Sequence, residues 1–157
     1  MKALKCLAPA VALLLSAAAF AAPDDIKVCE VVPAGDVEGA LGFKVAKTKP
    51  GYRECNWFSV TPSVSANAKA FKRHAHKVTG TEYVEQMKKM GFTAAILDDT
   101  PDLWCAKLTA PANMSGAQIV ECRMLTKGHY FEIRAMGPQM TREKAKALVA
   151  KVAARLP

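Results

Sequence analysis

The stretch 118–136 constrains this chain more than any other, because it reads as two strands whose mutual register is written in their residue types. Closing them with a turn at Lys127-Gly128 sets Met124 opposite Phe131 and Cys122 opposite Ile133, which makes one apolar face. The same register sets Arg123 opposite Glu132 and Glu121 opposite Arg134 on the other face. Opposite charges across a strand pair stabilise it, and a one-residue slip would send every side chain to the wrong face. The pattern extends backwards: a strand over 103–109, joined to 118–125 by the loop 110–117, comes level at Cys105 and Cys122.

The first residues predict an export signal. Lys2 and Lys5 make a basic start, 7–20 is apolar but too short to span a bilayer, and Ala19-Phe20-Ala21 is a small-x-small cleavage site. Cleavage after Ala21 leaves 22–157 as one domain. No later run is long enough to cross a membrane, and neither Cys6 nor Cys29 has a lipid-attachment context. Four cysteines then remain, Cys29, Cys55, Cys105 and Cys122. An even count in an oxidising compartment points to disulfides, for which three pairings are possible. Cys29–Cys55 with Cys105–Cys122 is favoured, because it closes the shortest loops and agrees with the hairpin register. The localisation expected is periplasmic or secreted.

Along the rest of the chain, 33–41 predicts a short helix with Val37, Ala40 and Leu41 on one side and Gly42 as its left-handed stop. Strands over 43–48 and 53–60 follow around Lys49-Pro50-Gly51-Tyr52, where Pro then Gly suits a type II turn. The segment 66–78 predicts a helix with Lys69, Lys72, Arg73, His76 and Lys77 on one side and Phe71, Ala75 and Val78 on the other. A second helix over 81–90 carries the stripe Tyr83, Met87, Met90 and stops at Gly91. A strand over 92–97 ends in the acidic turn Asp98-Asp99-Thr100-Pro101-Asp102, directly before Trp104. The chain closes with a helix capped by Thr141, whose apolar stripe is Ala145, Leu148, Val149, Val152 and Leu156. Segregated helices and hairpin-linked strands predict an α+β domain: a mostly antiparallel sheet of about six strands with flanking helices, pinned by two disulfides.

The run Cys29-Glu-Val-Val-Pro-Ala-Gly-Asp-Val-Glu-Gly-Ala-Leu-Gly42, followed by Cys55-Asn-Trp57, resembles the opening of small secreted or lipid-anchored bacterial proteins of unknown function. In those, a cysteine precedes a short helix ending in Leu-Gly, and a Cys-x-Trp strand follows. The likeness spans the first third of the mature chain. This chain departs from it in lacking a lipidated cysteine and in having Ala34 where a hydroxyl cap is usual. The resemblance implies an α+β fold and a cysteine pair, and it carries over no activity.

No pattern for catalysis, a metal or a cofactor emerges. His74 and His76 diverge on a helix, where ligands need i,i+3 or i,i+4 spacing, and His129 falls at a hairpin turn. Glu121 and Glu132 face arginines in register, whereas carboxylates for acid–base work face each other. Ser59, Ser63, Ser65 and Ser115 have no nucleophile-elbow context. Net charge is +8, and the signal contributes two of those charges. That excess suits an anionic partner: an envelope polymer, lipid head groups or an acidic protein. Nucleic acid is disfavoured by export and by the lack of a recognised motif.

The function expected is therefore an exported, non-catalytic binding protein of the bacterial cell envelope that recognises an anionic partner through the basic helix face. A periplasmic inhibitor or immunity protein that blocks another protein is the alternative, and a small hydrolase is the minor one. The second candidate recognition spot is Asp98, Asp99, Asp102 and Trp104. If Cys105 faces Cys122, Trp104 lies on the other sheet face, where a helix can cover it.

Overall fold

The computed structural model describes residues 26–72, 78–126 and 128–155. The expected signal 1–21, the basic positions Arg73, His76 and Lys77, the turn residue Lys127 and the helix end at Leu156 lie outside the described residues, as does the side chain of Lys72. Seven strands form one antiparallel sheet: β1 (Val45–Gly51), β2 (Glu54–Ser59), β3 (Ser65–Lys72), β4 (Thr93–Asp99), β5 (Leu103–Thr109), β6 (Gln118–Thr126) and β7 (His129–Met136). Their order across the sheet is β1-β2-β3-β7-β6-β5-β4, so two meanders meet at the β3–β7 pair. Four α-helices complete the α+β fold: α1 (Val28–Val31), α2 (Ala34–Leu41), α3 (Gly80–Lys89) and α4 (Arg142–Arg155).

The β6–β7 hairpin holds its expected register. Met124 pairs with Phe131, Cys122 with Ile133, Arg123 with Glu132 and Glu121 with Arg134. Cys105 pairs with Cys122 across β5 and β6, and the two are joined in a disulfide; the second disulfide is Cys29–Cys55. Both bridges lie on the face covered by α1, α2 and α4. There Trp57, Phe131, Ile133 and Leu148 are buried with them, each contributing about 1.5–3 kcal/mol through the apolar surface it removes from water. Asp36 on α2 pairs with Lys151 and Arg155 on α4, which ties the two helices to each other.

The largest departure is the segment expected as a helix over 66–78. Residues 65–72 form β3, paired along its length with β2 and with β7. Ala66, Ala68 and Ala70 are buried in the core while Ser65, Asn67 and Lys69 alternate with them, a period of two that helix-forming alanines disguise. A strand pairing on both sides satisfies its own N–H and C=O groups and those of two neighbours. That outweighs helix propensities of a few tenths of a kcal/mol per residue. The basic helix face is thereby overturned: Lys69 and Lys72 belong to a strand.

Smaller corrections follow the same logic. The first hairpin turns at Tyr52-Arg53 rather than at Pro50-Gly51, with Gly51 paired to Glu54. Arg53 adopts φ 54°, held there by a buried side chain whose Nε donates to the Ala70 carbonyl. Pro50 lies within β1, where an edge strand tolerates its missing N–H. On α3, Val84 rather than Met90 joins Tyr83 in the core, and Met90 is exposed.

α3 packs on the opposite face from the other helices, over β4 and β5, with Tyr83 and Val84 against Trp104, Ala106 and Leu108. Its start is closed by a capping box, in which the Thr79 hydroxyl accepts from the Glu82 N–H and the Glu82 carboxylate accepts from the Thr79 N–H. The first helical residue, Gly80, presses directly on the sheet. A Cβ there would lie 2.5 Å from Ile96 Cδ1 and 2.8 Å from Trp104 Cβ, so any side chain must push the helix off. Gly80→Ala should destabilise the protein by about 1–3 kcal/mol despite alanine's better helix propensity. A urea midpoint equal to or above that of the wild type would show that the contact is not tight.

Candidate functional site

α3 covers only the β4–β6 half of its sheet face, and the step where it begins forms a cleft of about 650 Å³. Val78, Thr79 and Thr81 at the start of α3 make one wall. Asp99 to Asp102, in the β4–β5 turn, make the second; Trp104, Arg123, Leu125 and Tyr130 lie on the sheet side. Thr100 builds the turn, its hydroxyl donating to the Leu103 carbonyl and accepting from the Leu103 N–H.

The cleft's sheet side belongs to one row of cross-strand neighbours. Asp99 pairs with Trp104, Trp104 with Arg123, Arg123 with Glu132, Glu132 with Lys69 and Lys69 with Glu54. Charges along this row alternate in sign, interrupted only by Trp104. Arg123 is at its centre and is buried to within 8 % of full exclusion from solvent. Its guanidinium lies 5.3 Å from the Phe71 ring and 5.1 Å from the Trp104 ring, and its Nη2 donates to Glu132 at 2.5 Å. Its Nε and Nη1 are buried without a hydrogen-bond partner. Burying a donor unsatisfied costs about 1–3 kcal/mol, and because both atoms are closed to solvent, an acceptor recovers that loss only by displacing the groups that cover them.

Beside the cleft, on the same sheet face, the next row holds a second charged pair. Tyr83 donates its hydroxyl to Glu121 Oε2 at 2.7 Å, and Arg134 donates to the same oxygen at 2.7 Å. Tyr83 also stacks on Trp104, with ring centroids 4.8 Å apart. α3, the cleft and the buried Glu121 are therefore mechanically continuous. Burial pushes the Glu121 carboxyl above its ordinary range and the nearby Glu132 adds to the effect, with Arg134 and Tyr83 opposing it. Burial and the Glu121 charge push the Tyr83 phenol well above its usual value. Burial alone would lower the Arg134 pKa, but Glu121 beside it turns the shift upward.

The acidic spot expected at Asp98, Asp99, Asp102 and Trp104 is divided. A bulge between Ile96 and Asp98 turns Asp98 to the other face, where Arg142 and Lys146 of α4 lie at 3.8 and 3.5 Å. Asp99 stays at the cleft and accepts from the Thr81 hydroxyl at 2.7 Å, and Asp102 is exposed beside it. Trp104 is covered by α3, with its indole N–H donating to the Val78 carbonyl. Of the basic positions, Lys69 lies on the uncovered half of the same face, 3.8 Å from Glu54 and 5.3 Å from the Phe71 ring. Lys72 ends β3 opposite His129. Sequence reasoning treated Arg123 only as a strand partner of Glu132 and placed Phe71 on the apolar side of a helix. The alternation Ser-Ala-Asn-Ala-Lys-Ala over 65–70 was the signal that could have put Phe71 on a strand.

Among the described residues, no group of three or more His, Cys, Asp or Glu side chains is placed to hold a metal ion, and no helix is long and apolar enough to cross a membrane. No protein-family model matches the chain, and the search of curated proteins returned no significant relative.

The raised Glu121 pKa carries a sign. Above the ordinary glutamate value of 4.5, the folded state holds this proton more tightly than the unfolded chain, so rising pH removes stability until the carboxyl ionises. Glu121→Gln lacks the titration. The stability of the variant relative to wild type should therefore climb as pH rises from about 4.5, by about 1.4 kcal/mol for each unit separating the two pKa values. Urea unfolding of both proteins between pH 4.5 and 8 measures it, and parallel profiles would refute the buried-proton account.

Proposed function

We propose that this is an exported, non-catalytic binding protein of the bacterial cell envelope, and that an anionic group of its ligand is received in the cleft at Arg123. The observation that carries the reading is the Arg123 guanidinium. It is nine-tenths buried, flanked by two aromatic rings, lines a cleft of ligand size, and keeps two buried N–H groups that no protein acceptor reaches. Arginine stacks on aromatic faces and presents a planar fork of donors, which suits recognition of a carboxylate or phosphate. Two disulfides fit an oxidising compartment, where such bonds persist, and support export. The buried carboxylates near the cleft are each matched to an arginine. The anionic partner remains that expected from the basic composition, but the recognising surface is a cleft rather than a helix face.

Sodium acetate, sodium succinate and inorganic phosphate titrated into the ¹⁵N-labelled protein test this. At least one anion should shift the Trp104 indole resonance and the amides of Leu125 and Tyr130 saturably. Arg123→Lys, which keeps a cation beside Glu132, should weaken that binding about fivefold or more, because lysine lacks the planar fork of donors. Shifts unchanged in the folded variant, or absent with all three anions, would defeat the proposal. Capture of a single protein partner at fixed stoichiometry, indifferent to Arg123, would favour the inhibitor or immunity reading in its place.

A further inference from the structure

The cleft has a second charged end. Asp99 stands exposed at the end of β4, across Trp104 from Arg123, and Asp102 is exposed on the β4–β5 turn, its carbonyl accepting from the Leu125 N–H of β6. Asp99, Trp104 and Arg123 are consecutive cross-strand neighbours on β4, β5 and β6. Adjacent strands lie about 4.8 Å apart, so the Asp99 and Arg123 backbones are about 10 Å apart along the row. The wall between them is mostly apolar, with Val78, Pro101, Leu125 and Trp104 lining it.

Resting on the reading of the cleft as the binding site, we infer that its ligand is a short zwitterionic peptide, with its carboxylate at Arg123 and its ammonium group at Asp99 and Asp102. The size of the cleft favours a peptide over a free amino acid. The cleft's volume of about 650 Å³ falls in the range of pockets that enclose drug-sized ligands, well beyond what one small amino acid fills. Unlike charges at the two ends also fix the direction of entry, since the reversed peptide would set carboxylate against carboxylate and ammonium against guanidinium. Small apolar side chains suit the wall. A ligand that is only anionic would offer Asp99 and Asp102 no cation at its far end, or repel them if charged there.

Calorimetric titration of the intact protein with trialanine, N-acetyl-trialanine, trialanine amide and free alanine tests the inference, with sodium succinate as the simple anion. Trialanine should bind at least tenfold more tightly than each blocked form and than alanine. Asp99→Asn with Asp102→Asn, both at exposed positions, should bring trialanine down to the affinity of its acetylated form while leaving succinate binding intact or improved. If acetylated and free trialanine bind equally while amidation abolishes binding, the peptide inference fails and the anion site stands. If neither the peptides nor succinate bind, both fail together.

Discussion

Two glutamates and two arginines on adjacent strands set the terms for everything built around them. Glu121 and Arg123 on β6 stand against Arg134 and Glu132 on β7, on a sheet face that α3 partly seals. A buried charge left unpaired would cost several kcal/mol, so no other register of this hairpin is compatible with a closed structure. β5 adds to the other edge of β6 with Cys105 level with Cys122, and the hairpin delivers the edge of β7 on which β3 adds. The two meanders become one sheet because β3 finds a partner whose polar rows already match: Asn67 beside Arg134 and Lys69 beside Glu132.

The two faces of the sheet are specialised. One is a conventional apolar core, with both disulfides under α1, α2 and α4. The other is a mosaic of charge and aromatic rings, in which Phe71, Arg123, Trp104 and Tyr83 form a continuous stack. Such a stack needs α3 to lie close, and Gly80 permits it because a hydrogen occupies the space between helix and sheet. The cleft arises from this incomplete coverage: α3 spans part of a seven-stranded sheet, and its capped start leaves a ledge over Trp104 and Arg123. The capping box fills the helix terminus with the chain's own groups, so the proposed anion site rests with the arginine and not with the helix.

The candidate site was legible only in part. Asp99, Asp102 and Trp104 drew notice as an acidic turn next to an aromatic, and they do line the cleft. Arg123 was visible as a charge matched to Glu132, and a matched charge gives no hint that two of its N–H groups lack partners. Asp98 could not be told from Asp99, because the bulge that turns it toward Arg142 and Lys146 reflects how β4 meets β5 and α4 together. Phe71 was hidden by the helical reading of its segment.

Local pattern by itself determined the β5–β6–β7 meander, the disulfide level within it, the closing helix and the α+β class. Each depends on residues close in the chain, where turn chemistry, charge matching and hydrophobic period leave one consistent arrangement. Only the tertiary structure decided that 65–72 is a strand, that Asp98 and Asp99 part to opposite faces, and that Arg123 lies beneath a cleft. Those outcomes depend on partners far along the chain: β2 and β7 for β3, α4 for Asp98, and α3 with Phe71 for Arg123. A segment with alanines at every second place and lysines at helical spacing satisfies both periods. The strand prevails because two open strand edges have backbone groups to satisfy, and that requirement exists only once the sheet is assembled.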